Sequence, residues 1–201
     1  MFQKIKLLSL SLATALLLSF LFSAIIEAQG NSKQALNDEK SLIILFSQTG
    51  KTAGIAKLIV DKTGAETFLI ESTQTYPADE REIIAIEEKR LKEARSLTLK
   101  NQPPDLTPYS IIYLGSPVWF GEPPEIVKIF LAKTDFKNKP VAIFATSGTQ
   151  PNDINAQLAA LVKNGKVLEP TLLHKRADEQ DPEAIKNKVA IWLDALKRAR
   201  F

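Results

Sequence analysis

Ser41-Leu-Ile-Ile-Leu-Phe-Ser-Gln-Thr-Gly-Lys-Thr52 is the stretch on which the fold turns. After the serine its first half is aliphatic or aromatic without polar alternation, the pattern of a central strand buried on both faces of a parallel sheet. Its second half is a hydroxyl-rich turn. Beyond it Ile55, Ala56, Ile59 and Val60 recur at helical spacing, so the turn opens a helix. At a helix N-terminus unpaired backbone N–H groups and the positive end of the dipole face outward. The hydroxyls of Ser47, Thr49 and Thr52 add donors, and the whole makes a site for a phosphate. Gly50 lets the backbone approach closely. The plainer reading, an ordinary strand-to-helix turn capped by Ser and Thr, stays open on this segment alone.

Gly50-Lys51-Thr52 also matches the end of the nucleotide triphosphate P-loop. That motif needs a glycine five positions before its second one, and Leu45 stands there. A branched side chain within the strand does not open so wide a loop. The expected phosphate is therefore a monoester held by a tight hydroxyl loop.

From Ser41 onward apolar strand-like runs alternate with amphipathic helical ones, the signature of a parallel sheet covered by helices on both faces. Glu66 to Glu71 reads as a second strand and Asp79 to Leu97 as a charged helix. Tyr109 to Leu114 follows as a third strand after a proline-bearing loop. Ile126, Val127, Phe130 and Leu131 mark a helix, Pro140 to Ala145 a fourth strand, and Ile154, Leu158 and Leu161 the next helix. Lys166 to Leu173 is a weaker fifth strand, and Ile185, Val189, Trp192 and Leu196 define the last helix. The fold class is α/β: a doubly wound five-stranded parallel sheet with helices on both faces, binding ligands where the loops leave the carboxyl ends of its strands.

The start of the chain differs from the rest. Lys4 and Lys6 precede an uncharged run from Leu7 to Ile26 that ends at Glu27 and Ala28. Residues 1–28 read as a signal peptide or N-terminal anchor. Residues 29–40 form a polar lead expected to be disordered, and 41–201 the globular domain. Cleavage after Ala28 leaves 24 basic and 22 acidic residues, a near-neutral protein. No basic stripe with interleaved aromatics argues for nucleic acid. The 201 residues contain no cysteine, which excludes disulfides and thiolate metal sites and suits an oxidising compartment. The expected location is outside the cytoplasmic membrane, periplasmic or extracellular. Contact with a membrane is expected only through an uncleaved N-terminal segment.

In such a sheet the loops after the first, third and fourth strands converge. The third-strand loop, Gly115-Ser-Pro-Val-Trp-Phe-Gly-Glu-Pro-Pro124, sets two adjacent aromatics where exposure gains a soluble protein nothing, and a planar ligand accounts for them. The alternative is that Trp119 and Phe120 fold back as loop anchors. Thr146-Ser-Gly-Thr149 is small and hydroxylic, suited to the polar edge of a ring.

The phosphate-gripping Ser-x-Thr-Gly-x-Thr, together with Gly-Ser-Pro-Val-Trp-Phe-Gly and the pair Tyr76-Pro77, resembles the flavodoxin-like family. The likeness is to its short single-domain members, over about residues 41–175. It implies the strand order 2-1-3-4-5 and a flavin mononucleotide (FMN) site. Carried over, Ser47, Gln48, Thr49, Gly50, Lys51 and Thr52 hold the phosphate. Pro117, Val118, Trp119, Phe120 and Gly121 line the isoalloxazine ring, with Trp119 stacked on it, and Thr146, Ser147 and Gly148 border its pyrimidine edge. The chain departs from the family in being near neutral and in lacking an aromatic from Thr146 to Pro151. The second departure leaves one ring face open.

The expected function is electron transfer to a redox partner protein or a small-molecule acceptor. The alternatives are a nicotinamide-dependent flavin enzyme reducing quinones or similar acceptors, and a flavin-free binding module on the same fold. His174, the sole histidine, reads as structural. The charged run from Asp79 to Arg95 reads as a solvated helix face. Tyr76 reads either as a substrate contact or as packing.

Overall fold

The computed structural model describes residues 40–77, 79–148, 153–175 and 181–199. The expected targeting segment 1–28, the polar lead up to residue 39, and Thr149 lie outside the described residues. In chain order the elements are β1 (Ser41–Leu45), α1 (Lys51–Thr63), β2 (Glu66–Leu69), α2 (Glu80–Lys92), β3 (Ile111–Pro117), α3 (Glu125–Ala132), β4 (Pro140–Ser147), α4 (Ile154–Leu161), β5 (Lys166–Lys175) and α5 (Pro182–Ala199). The five strands pair in parallel in the order β2-β1-β3-β4-β5, as expected.

Alternation along the strands sorts the core into two layers. Leu42, Ile44, Ile112, Leu114 and Ile143 pack on Ile126, Phe130 and Leu158 of α3 and α4. On the other face Ile43, Leu45, Tyr113 and Phe144 meet Ile55 and Ile59 of α1 and Trp192 and Leu196 of α5. Each such side chain, removed from water, stabilises the fold by about 1.5–3 kcal/mol.

Several boundaries differ from the expected ones for local reasons. β3 runs three residues past Leu114 because Ser116 and Pro117 stay in register with Ala145 and Thr146 of β4. Gly115 thus belongs to a strand. It lies opposite Phe144, and a Cβ there would come within 2.3 Å of the Phe144 ring. Helix α2 starts on time, with Asp79 Oδ1 accepting from the Arg81 and Glu82 N–H groups at 2.8 and 3.1 Å. It ends early. The Arg95 N–H returns to the Arg90 carbonyl and the Ala94 N–H to that of Leu91, while Ala94 adopts φ +50°. These are the paired bonds of a Schellman stop, made here without a glycine.

The face of α2 is not wholly solvated either, which corrects the reading of its charged run: Glu87 and Arg90 are 3% and 6% exposed. At the outer edge of β2 the side chain of Asn101 takes the place of a neighbouring strand. Its Nδ2 donates to the Leu69 carbonyl (2.6 Å) and its Oδ1 accepts from the Glu71 N–H (3.1 Å). Between β1 and β3 the winding reverses, since β1 feeds α1 on one face and β3 feeds α3 on the other. A crevice opens at that point.

Candidate functional site

The first wall of the crevice is the β1–α1 turn. Gly50, at φ +84°, turns the chain into α1 and offers no side-chain cap. A Cβ on it would meet nothing within 4 Å, so the backbone lies open to a ligand. The Ala53 N–H is capped by Ser47 Oγ at 3.1 Å, leaving the serine O–H to donate elsewhere. Thr52 is 1% exposed, and its hydroxyl bonds that of Thr146 at 2.8 Å, which ties the turn to the end of β4. Gln48 Nε2 donates to the carbonyls of Tyr76 (3.0 Å) and Pro77 (3.3 Å), tying the turn to the loop after β2.

The second wall is the β3–α3 loop. Trp119 and Glu122 exchange both backbone hydrogen bonds, at 2.9 and 3.0 Å, around Phe120 (φ +53°) and Gly121 (φ +79°). This is a two-residue hairpin with both central residues left-handed, a geometry that favours Asn-Gly and penalises a bulky first residue. Phe120 occupies that strained position and is 56% exposed. Trp119 is half-buried, its ring edge-on to Phe46 (5.4 Å, 76°) and to Tyr76 (5.3 Å, 74°). Of the two aromatics, Trp119 is the one packed as a loop anchor and Phe120 the one presented to solvent. Gln157 Nε2 of α4 donates to the Gly121 carbonyl (3.3 Å), and Lys128 of α3 pairs with Glu122 (2.6 Å).

These walls enclose a cleft of about 240 Å³ lined by Thr49, Lys51, Pro117, Val118, Trp119, Phe120, Gly121, Thr146, Ser147 and Gly148. Loops from β1, β3 and β4 therefore converge on one site. Ser47 and Gln48 line an adjoining hollow with Phe46 and Tyr76, and Thr52 lies behind the cleft surface. Glu80, Ile83 and Ile84 of α2 complete the lining and were missed in the sequence. The Ile83-Ile84 pair within a charged run was the available signal; in the structure Ile84 is 42% exposed.

Donors gather at the α1 end, and apolar surfaces at the hairpin and α2 end. An amphiphilic ligand with an anionic head and a planar apolar body fits that division. Beneath the hairpin the Tyr76 hydroxyl donates to Glu87 Oε1 at 2.6 Å, and Arg90 holds Glu87 through Nε (3.0 and 3.1 Å) and Nη2 (2.8 Å). Burial, and then the Glu87 carboxylate, push the Tyr76 phenol well above its ordinary pKa. The bond to Glu87 holds Arg90 in its charged form more firmly still.

The family model for flavodoxins matches residues 40–194, and the chain belongs to the flavodoxin family. Among solved structures it is similar to a candidate flavoprotein from Bacteroides uniformis ATCC 8492, with 26% identity over 76% of this chain and 98% of that one and a TM-score of 0.56. A flavoprotein in complex with FMN from Lactobacillus acidophilus NCFM is 22% identical over 77% and 99%, with a TM-score of 0.56. A flavodoxin, WrbA-like protein from Agrobacterium tumefaciens is 14% identical over 81% and 98%, with a TM-score of 0.51. The last two share the fold with this chain. No match was found among curated proteins.

Proposed function

We propose that this flavodoxin binds FMN in the cleft and transfers electrons outside the cytoplasmic membrane, to a redox partner protein or a small-molecule acceptor. The observation that carries the reading is the division of one cleft into a donor-rich helix N-terminus and an aromatic hairpin. Thr49, Lys51 and the first N–H groups of α1 take the phosphate, with Gly50 giving the close approach. Ser47, Gln48 and Thr52 hold that turn in shape. Pro117, Val118, Trp119, Phe120 and Gly121 line the ring, and Thr146, Ser147 and Gly148 its polar edge. Bound FMN supplies the capacity to accept and release electrons, and the chain supplies binding, orientation and electrostatics.

The purified protein titrated with FMN is expected to saturate at one equivalent and to quench flavin fluorescence. Titration without quenching or a flavin spectrum overturns the reading. Export is supported by Lys4, Lys6, the uncharged run from Leu7 to Ile26 and the small Ala28. A chain exported unfolded acquires flavin on the far side. A reporter active only after export, fused behind residue 201, is expected to be active, and a full-length fusion whose reporter stays inactive refutes this half.

A second reading, reduction of a small apolar acceptor such as a quinone at the expense of a nicotinamide, is favoured by the exposed apolar lip formed by Ile84 and Phe120. Anaerobic NADH or NADPH with a quinone distinguishes it: rapid bleaching of the flavin, then reoxidation by the quinone, supports the enzyme. A flavin reduced only by dithionite or a protein donor supports the carrier.

A further inference from the structure

Three walls of the cleft meet at Tyr76, which does not itself line it. Its carbonyl accepts from Gln48 of the β1–α1 turn, its ring lies edge-on to Trp119 of the hairpin, and its hydroxyl is bonded to Glu87 of α2. Tyr76, Glu87 and Arg90 are 7%, 3% and 6% exposed, and Arg90 Nη1 also donates to the Arg95 carbonyl at 2.9 Å. Behind the hairpin Glu87 and Arg90 line a hollow of about 90 Å³ together with Leu91, Trp119 and Phe120.

Desolvating an ion pair costs more than filling the same space with Leu or Phe, so the pair is a poor device for stability alone. Its geometry supplies orientation. Three nitrogen contacts fix the carboxylate, the carboxylate fixes the phenol oxygen, and a phenol held at its oxygen and at its backbone has its long axis fixed. Trp119 leans on the ring so placed, edge to face at 5.3 Å.

We propose that Tyr76, clamped by Glu87 and Arg90, is a positioning residue that sets the pose of Trp119 and through it the ring-binding half of the cleft. The ligand in this inference rests on the FMN reading above, whereas the clamp acts on Trp119 in the ligand-free protein. Hydroxyl removal in Tyr76→Phe keeps the aromatic contact and cuts the tether. Glu87→Gln keeps an acceptor for the hydroxyl and loosens the grip of Arg90.

Two measurements test the proposal in the full chain. The first is acrylamide quenching of Trp119, isolated by Trp192→Phe or, where that variant does not fold, by difference against Trp119→Phe. The second is the affinity for FMN and for riboflavin. In Tyr76→Phe quenching is expected to rise about twofold, and both flavins to bind roughly tenfold more weakly with their affinity ratio unchanged, as for a displaced ring wall. Glu87→Gln is expected to shift both readouts in the same direction, and it carries the test if Tyr76→Phe does not fold. Folded variants that melt earlier but keep wild-type quenching and flavin affinity overturn the proposal, leaving Tyr76 a packing residue. Weaker FMN binding with unchanged riboflavin binding also overturns it, because the effect then runs through Gln48 to the phosphate turn. A wild-type protein that binds neither flavin refutes the FMN reading instead, while the quenching arm still decides on the clamp.

Discussion

The β1–α1 turn and the β3–α3 hairpin face each other across one cleft, yet they are built in opposite ways. The turn is largely local: a strand, a left-handed glycine and a helix N-terminus within twelve consecutive residues, with Ser47 capping Ala53. The hairpin has an unfavourable local conformation, with a phenylalanine where Asn or Gly belongs, and it is held by the distant Phe46, Tyr76 and Gln157 and by Lys128 of the next helix. The half assigned to a phosphate is thus specified mostly by its own sequence, with Thr146 and the carbonyls of Tyr76 and Pro77 as its distant ties, and the half assigned to a ring mostly by the rest of the molecule. Damage far from the cleft should reach the second half more than the first.

The largest expected effect tests that asymmetry from below. Arg90→Met leaves the Glu87 carboxylate buried without its guanidinium and should lower the free energy of unfolding by about 3 kcal/mol, read by urea titration. Breaking the exposed pair Lys57–Asp61 by Lys57→Met should change it by less than about 0.5 kcal/mol. Equal losses from the two would mean that the buried pair carries no special weight.

Trp119→Ala is next. Because Trp119 is an anchor between two other rings, its loss should cost about 2 kcal/mol of stability in thermal melts and weaken FMN and riboflavin alike. This departs from the expectation that Trp119 serves chiefly to stack on the ring. Phe120→Asn, which restores Asn-Gly to the hairpin, should raise stability by about 1 kcal/mol and weaken ring binding. A destabilised Phe120→Asn would show that the phenylalanine packs on the protein after all.

On the other wall Thr49→Ala should weaken FMN by about 1.5 kcal/mol and leave riboflavin unchanged, since Thr49 lines the cleft. Thr52→Ala should instead lower stability and affect both flavins equally, because its hydroxyl serves Thr146. Calorimetric titration with the two ligands separates the cases.

The smallest effect is a slope. The folded state raises the Tyr76 pKa, chiefly through burial, so it favours the neutral phenol. The associated stability is complete below the unfolded phenol value of about 10 and declines as the pH climbs beyond it. Urea midpoints measured from about pH 9 to about pH 11 should fall more steeply for the wild type than for Tyr76→Phe. Parallel lines would mean that Tyr76 gains its freedom before it ionises.

Legibility in the sequence followed the same division. The strand order accompanied the motif resemblance, and the β1–α1 turn was readable because a buried run, a glycine and helical periodicity sit side by side. Helix α2 was read too long because its stop uses Ala94 in place of the glycine that would have announced it. Glu87 and Arg90 were read as solvated because charge is an indicator of exposure that a buried pair defeats, and nothing local marks the partners Tyr76 and Trp119 that bury them. Ile83 and Ile84 entered the site through tertiary placement of α2, which periodicity within a single helix does not encode.

Asn101 carries a consequence for assembly. An open sheet ends in a row of unpaired peptide groups, a template on which a second chain can add a strand. On β2 that row is short, and the outward-facing Leu69 carbonyl at its end and the Glu71 amide two residues beyond are both taken by one side-chain amide, next to a leucine that is 53% exposed. That side chain closes one end of this edge by intramolecular mimicry. Loss of that amide would uncover two backbone groups beside an apolar side chain, the kind of place where a second chain can pair.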